Sequence, residues 1–232
     1  MGRKKSKLSF SKLWSQVDFK NTSTLTLIFS NLLVIFFAIT DEISAMEVLW
    51  IYWFQSVIIG IFTFVRITNL KEYSTEKFKI GNKQPKPTRA AAIFIGLFFF
   101  FHYGLFHLVY AVFLGLFTAN SNLPVNSNSY IFILISAGIF FINYLVDYIK
   151  SKRDESAEIP NIGKIMSAPY ARIIPMHLTI IFGGFFISAS QSLSTATNII
   201  IVLMFTTIKT IVDLITHSVD FPVRIPDRAE AN

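Results

Sequence analysis

Six long apolar stretches constrain what this chain can fold into. They cover residues 24–39, 46–66, 90–117, 130–149, 173–188 and 196–217. A helix needs about 20 mostly apolar residues to cross the hydrocarbon core of a bilayer. With 53% hydrophobic and only 15% charged residues, the chain is far more apolar than an average soluble domain. The sequence therefore predicts an all-α, polytopic helix bundle with six transmembrane helices in the cell membrane, surrounded by membrane lipids.

The stretches divide the chain into three parts. Residues 22–218 form the predicted transmembrane domain, and residues 219–232 form a short tail. In residues 1–21, apolar side chains alternate with lysines, a pattern typical of a short amphipathic helix at the lipid headgroups. Its beginning, MGRKKSKLSFSKLW, has neither a continuous apolar core nor a small-residue cleavage site, so we do not expect a secretory signal.

The basic residues predict how the helices are oriented. Every Lys and Arg except Lys209 lies before the first stretch, after the sixth, or around the connections that follow the second and fourth. The remaining connections, TDEIS, TANSNLPVNSNS and ASQSLSTAT, contain none. Because basic residues are retained on the cytoplasmic side, both termini are predicted to be cytoplasmic.

Charge and cysteine content exclude several classes of function. The net charge of +7 is spread over the predicted cytoplasmic connections, where anionic lipid headgroups account for it, so we expect no nucleic-acid partner. The chain has no cysteine, which excludes disulfides and thiolate metal sites.

Ionisable residues inside the apolar stretches are the candidate functional residues. All four histidines, His102, His107, His177 and His217, lie in or at predicted spans. Lys209 and Asp213 precede His217 at intervals of four residues, so the three share one face of a helix. Such groups are costly in a membrane unless they meet partners, and they mark function by default. Asp213, one turn from Lys209 on the same face, is the expected partner of its ammonium group.

The predicted depths of these residues suggest a metal site. Counting about 1.5 Å per residue, His177 lies roughly 8 Å from the cytoplasmic end of its helix, and His102 reaches a similar level if the long third helix projects into the cytoplasm. Imidazoles and a carboxylate are the ligands expected for zinc among divalent metals. The predicted ligands are drawn from His102, His107, His177, Asp213 and His217.

His102 and His107 do not reach the same ion in a regular helix. They are five residues apart, which places them about 140° apart around the helix axis. Both reach one centre only if the helix deforms near Gly104. We therefore expect one to be a ligand and the other a supporting or packing residue, with His102 favoured by its depth.

Three functions remain open at this point. The first is a metal-dependent hydrolase of a lipid-like or amide substrate, with Asp213 as a ligand or general base and Lys209 stabilising the oxyanion. The second is a proton- or cation-coupled transporter, in which His and Asp pass protons or bind a cation. The third is a scaffold whose polar residues only hold helices together. Asn31, Gln55 and Ser56 are in any case predicted to make interhelical hydrogen bonds.

Four stretches carry a resemblance to a known group of proteins. YWFQSVIIGIFTFVRI, FFHYGLFHLVY, RIIPMHLTIIFGG and KTIVDLITH together resemble an uncharacterised family of bacterial and archaeal polytopic membrane proteins, a domain of unknown function. The resemblance covers most of the chain from the second stretch onward. It implies that these stretches belong together, and it implies no particular activity.

The ligand set is separately similar to that of the ceramidase and adiponectin-receptor class of transmembrane hydrolases. That class is known for three His and one Asp around zinc. The likeness concerns only the chemistry of the site. Those proteins have seven spans and a Ser four residues before one His, whereas Phe98 and Tyr103 stand four residues before His102 and His107 here.

Overall fold

A computed structural model describes residues 19, 22–40, 44–120, 127–153, 159–178, 181–182 and 195–220. The predicted amphipathic segment 1–21 lies outside the described residues except for Phe19, as does the tail 219–232 except for residues 219–220. Some side chains within the helices also lie outside the described part, among them those of Asp213 and His217.

The described chain is helical, which confirms the all-α fold class. The helices are α1 (Thr22–Ile39), α2 (Ala45–Thr68), α3 (Arg89–Asn120), α4 (Ser127–Arg153), α5 (Ile162–Ser167) and α6 (Thr195–Asp220). A 3₁₀ helix, Ala168–Arg172, follows α5 and leads into helical residues 173–178. Five of the six apolar stretches thus coincide with long helices, and half of the fifth lies outside the described residues.

A reciprocal cap fixes the beginning of α2. The backbone N–H of Glu47 donates to Ser44 Oγ at 3.2 Å, and the Glu47 carboxylate accepts from the backbone N–H of Ser44 at 2.6 Å. Two N–H groups that the first helical turn leaves without backbone partners are satisfied in this way. The helix therefore starts at a defined residue, which sets the register of everything that α2 presents to α3.

Two glycines allow α2 and α3 to pack closely. A Cβ atom added to Gly60 would lie 2.7 Å from Cε1 of Tyr103, and one added to Gly96 would lie 2.7 Å from Cγ2 of Thr68. By contrast, no described atom lies within 4 Å of such a Cβ at Gly104, so Gly104 is not one of the close-packing positions. The Tyr103 ring occupies the space over Gly60, and this contact places its phenol between the helices.

The two packed helices are also the ones that satisfy the requirements for crossing a membrane. In the described part of the chain, Ala45–Thr68 and Arg89–Ala119 are long and apolar enough to span a bilayer. The outer face of α3 exposes large apolar side chains, including Leu105, Leu108 and Phe101, the last at 70%. Water disfavours such a continuous apolar face, whereas lipid tails tolerate it.

The remaining helices pack around this pair. α4 packs against α2, and α1 packs mainly against α6, although these two helices lie near opposite ends of the chain. The 3₁₀ helix contacts both α2 and α6. A core that includes Tyr52, Leu114 and Phe205 joins α2, α3 and α6.

Candidate functional site

A network of buried polar side chains joins α2 to α3. Ser56 is 1% exposed and His107 is 4% exposed. The Ser56 hydroxyl oxygen lies 2.8 Å from Nε2 of His107 and 2.7 Å from the Tyr103 phenol oxygen. Trp53 donates its indole N–H to the carbonyl oxygen of His107 at 2.8 Å. These contacts bring a basic nitrogen and two hydroxyl groups together inside the helix pair.

The partners of His107 determine where its proton lies. Its Nδ1 is 2.9 Å from the Tyr103 carbonyl oxygen, which can only accept a hydrogen bond, so Nδ1 carries the proton in the neutral ring. Nε2 then accepts from the Ser56 hydroxyl. That hydroxyl in turn accepts from the phenol of Tyr103, whose proton has a second acceptor in the Ser56 carbonyl oxygen at 3.2 Å.

Helical spacing accounts for how the network forms. Tyr103 and His107 are four residues apart on α3, and Trp53 and Ser56 are three apart on α2, so each pair lies on one face of its helix. The rings of Tyr103 and His107 pack against each other, with centroids 4.3 Å apart. The predicted interhelical hydrogen bond of Ser56 is therefore confirmed.

His102 occupies a different environment on the same helix. It is exposed, its ring stacks on Phe98 with centroids 5.3 Å apart, and its Nδ1 lies 2.9 Å from the phenol oxygen of Tyr170. Burial raises the pKa of the Tyr170 phenol, which therefore stays protonated at neutral pH. His102 and His107 face different neighbours, as their separation around the helix predicts.

His177 contacts a third tyrosine. It is exposed, and its Nδ1 lies 3.3 Å from the phenol oxygen of Tyr110. Tyr110 also packs edge-on against His107, with ring centroids 6.1 Å apart. Each described imidazole thus lies beside a hydroxyl group: His107 beside Ser56, His102 beside Tyr170, and His177 beside Tyr110.

The predicted metal site is only partly within the described chain. Among the described side chains, no three His, Asp or Glu groups lie together so that they could hold a metal ion. Both ring nitrogens of His107 have hydrogen-bonding partners. The side chains of Asp213 and His217 lie outside the described part, so their ligand and general-base roles stay predictions.

Lys209 has partners on two other helices. Its ammonium group donates to the side-chain oxygen of Asn31 on α1 at 3.1 Å, and lies 5.2 Å from the ring centre of Tyr52 on α2. The amide accepts a hydrogen bond from the cation, and the aromatic face adds a cation–π attraction. The interhelical hydrogen bond predicted for Asn31 is confirmed, whereas the predicted pairing of Lys209 with Asp213 involves a side chain outside the described part.

A double-mutant cycle tests the contact between Lys209 and Asn31. Lys209→Met and Asn31→Leu should each lower the free energy of unfolding in detergent, and the pair should show a coupling energy of about 0.5–1.5 kcal/mol. Adding Asp213→Asn to Lys209→Met tests the partner predicted from sequence. Strictly additive losses in both combinations would mean that Lys209 interacts with neither side chain.

The tyrosines around the histidines are not recognisable as functional residues from the sequence alone. Tyr170 and Tyr110 supply the hydroxyl groups at His102 and His177. The Tyr103 hydroxyl bonds to Ser56, whose own hydroxyl bonds to His107. Within runs of phenylalanine, tyrosines look like packing residues. The useful signal is the spacing of Tyr103 and His107, which puts a phenol and an imidazole on one face of a predicted span.

Comparison with known proteins identifies a family for the chain but no activity. A family model described as a family of unknown function (DUF6498) matches residues 13–229. No curated protein and no solved structure matches the chain. The matched range includes all four stretches on which the resemblance to an uncharacterised family rests.

Proposed function

We propose, from the chemistry of its own side chains, a function for this chain, which belongs to the DUF6498 family of unknown function. The protein is a multi-pass membrane protein that takes up and passes a proton at the network of Tyr103, Ser56 and His107, as a proton-coupled transporter does. The supporting observation is that this network can be fully hydrogen-bonded with His107 either neutral or protonated.

When His107 takes up a proton, the hydrogen bonds of the network reverse direction and the Tyr103 phenol changes its acceptor. With neutral His107, the phenol of Tyr103 donates to Ser56 Oγ, and Ser56 donates to Nε2. After Nε2 takes up a proton, it donates to Ser56 Oγ, and Ser56 donates to the phenol oxygen. The phenol proton turns to the Ser56 carbonyl oxygen, which lies 3.2 Å away. Every donor keeps an acceptor, so proton uptake strands no buried polar group.

A hydrolytic role for the same residues fits less well. A serine hydroxyl within hydrogen-bonding distance of an imidazole also occurs in nucleophilic catalysis. Here Ser56 is 1% exposed, and its oxygen is enclosed by His107 and Tyr103. A proton can reach such an oxygen through neighbouring hydroxyl groups, whereas an acyl substrate needs open space beside it.

Proton flux into sealed vesicles tests the proposal. Ser56→Ala removes the group that links Tyr103 to His107, so vesicles containing this variant should lose the proton flux that wild type supports, as read by a trapped pH dye. Thr118→Val is the matched control, because it removes another hydrogen bond between the same helices, from Trp50 to Thr118 at 3.1 Å. Equal flux in wild type and Ser56→Ala would contradict the proposal.

The tautomer of His107 gives a second readout. The geometry requires a proton on Nδ1 in neutral wild type, and ¹⁵N-histidine NMR distinguishes the two nitrogens. We expect the Nδ1–H form at His107 in wild type. A proton on Nε2 in neutral wild type would contradict proton transfer along Tyr103, Ser56 and His107, here called the proton relay.

The finer membrane arrangement is part of the proposal. The chain crosses the cell membrane six times, with both termini and the connections containing Lys83 and Lys152 in the cytoplasm. Because the chain has no native cysteine, Asn122→Cys provides a unique labelling site in the connection between α3 and α4. An impermeant thiol reagent should label it in intact cells, and labelling only after permeabilisation would overturn the orientation.

A metal-dependent hydrolase is the second candidate, and one observation favours it. His102 and His177 each approach a tyrosine hydroxyl through Nδ1, the arrangement that leaves Nε2 available to a metal. His217 and Asp213 would complete a site for zinc or another divalent ion, acting on a lipid-like or amide substrate. Elemental analysis of purified protein should then give about one ion per chain, and this content should fall in Asp213→Asn. Metal-free wild-type protein would exclude this candidate.

A further inference from the structure

The connection between α2 and α3 is folded into a compact loop. The Tyr73 hydroxyl donates to the Thr88 carbonyl oxygen at 2.6 Å and closes the base of the loop. Inside, Gln84 donates from its side-chain amide to the Thr75 hydroxyl at 3.2 Å. Residues 73–88, here called the basic loop, have the size and closed ends of an Ω-loop.

A second segment holds the basic loop in place. Ser74 donates its backbone N–H to the Pro160 carbonyl oxygen at 2.8 Å, and Ile162 donates back to the Ser74 carbonyl oxygen at 3.1 Å. Asn161 adds a side-chain hydrogen bond to the Glu76 carbonyl oxygen at 2.9 Å. Phe78 packs against Gly163, where an added Cβ would lie 3.0 Å from the ring. The loop is therefore attached to the connection that precedes α5.

The outer surface of the loop is basic. Six cationic side chains at or beside it are exposed, against two acidic ones, Glu72 and Glu76. The cations are Lys71, Lys77, Lys79, Lys83, Lys86 and Arg89. Lys77 has a left-handed backbone, with φ of 63°, a conformation that glycine or asparagine adopts at lower cost.

An exposed apolar side chain lies among these cations. Ile80 and Lys83 exchange two backbone hydrogen bonds around a tight turn, in which Gly81 has φ of +61°. The turn presents Ile80, 43% exposed, between Lys79 and Lys83. Cationic heads around a short apolar side chain are a combination that suits the boundary between lipid headgroups and acyl chains.

We propose that the basic loop docks on anionic lipid headgroups at the membrane surface beside the ends of α2 and α3. The loop begins five residues after Thr68 and ends one residue before Arg89, so the two membrane-crossing helices keep it close to that surface. The lysines contact the phosphates, and Ile80 enters the headgroup layer. Docking depends only on the membrane location of α2 and α3 and is independent of the proton relay.

A fluorophore at the tip of the loop tests the docking. Asn82→Cys introduces a unique cysteine in the full-length protein, which is labelled with an environment-sensitive dye and placed in nanodiscs. We expect bluer emission and slower aqueous quenching in discs rich in phosphatidylglycerol than in discs of phosphatidylcholine. Raising salt from about 0.1 M to about 1 M shortens the Debye length from roughly 10 Å to roughly 3 Å and should reverse the shift.

Charge variants show whether the lysines of the basic loop cause the emission shift. Lys79→Gln with Lys83→Gln should reduce the docked-to-free ratio about 25-fold, since each lysine near an anionic surface contributes roughly fivefold. Lys150→Gln with Lys152→Gln makes the same charge change at the end of α4 and should leave the emission unchanged. Glu76→Gln should strengthen docking.

Three outcomes would overturn the proposal. The first is identical wild-type emission in both kinds of disc. The second is a shift that survives high salt. The third is an equal effect of the two double lysine variants, which would indicate a response to overall charge rather than contact by this loop.

Discussion

Replacing His107 with alanine should lower the free energy of unfolding by about 3 kcal/mol or more, whereas the same change at His102 should cost less than about 1 kcal/mol. Both residues lie on α3, so the pair compares one side chain in two environments. Removing His107 leaves a buried cavity beside Tyr103 and takes away partners of the Ser56 hydroxyl and the Tyr103 carbonyl. Removing the exposed His102 breaks one hydrogen bond, with Tyr170, and the ring stacking on Phe98.

Unfolding in mixed detergent micelles, followed by circular dichroism, measures both variants. Additional data from Ser56→Ala separate the hydrogen bond from the cavity, because that change removes the bond to Nε2 and keeps the ring. A loss of stability in His102→Ala as large as in His107→Ala would mean that the buried network does not stabilise the helix pair.

Gly60→Ala should destabilise the protein by about 1–3 kcal/mol, although alanine is the better helix former. The added methyl group would lie 2.7 Å from the Tyr103 ring, well inside van der Waals contact. Tyr103 cannot move aside freely, since its phenol is bonded to Ser56 and its ring packs on His107. The same change should therefore also weaken proton transfer through the relay.

Gly104→Ala is the matched control for this change. Its new methyl group meets no described atom within 4 Å. We expect it to be neutral or to stabilise by about 0.5–1 kcal/mol through helix propensity alone. Thermal unfolding of the two variants in one detergent decides the matter, and similar effects at both glycines would rule out a specific clash with Tyr103.

The helices were predictable because length and apolar content depend on residues that are adjacent in the sequence. The stretch at 90–117 lies inside α3, Arg89–Asn120, and the stretch at 46–66 lies inside α2, Ala45–Thr68. Their pairing depends on the rotation of each helix about its own axis. Gly60 and Gly96 help to set that rotation, but a glycine in a span reveals its partner only once the facing residue is known.

The site was predictable only in part for the same reason. A histidine inside an apolar stretch is conspicuous, so His107 was among the predicted residues. Its partner Ser56 lies 51 positions away, and only the packing of α2 on α3 brings the two together. Depth favoured His102 over His107, but depth along an axis does not determine which side of the helix is buried.

The packing of α1 against α6 has a consequence for how the protein is made. α1 leaves the ribosome first among the described helices, yet the cation that Asn31 binds belongs to the last helix. Lys209 follows Asn31 by 178 positions, which take about 9–36 s to synthesise at about 5–20 residues per second. Throughout that interval the hydrogen bond from Lys209 to Asn31 cannot form. A ribosome-stalled chain ending before residue 195 should therefore leave the face of α1 that packs on α6 uncovered, and completion of α6 should protect it from chemical labelling.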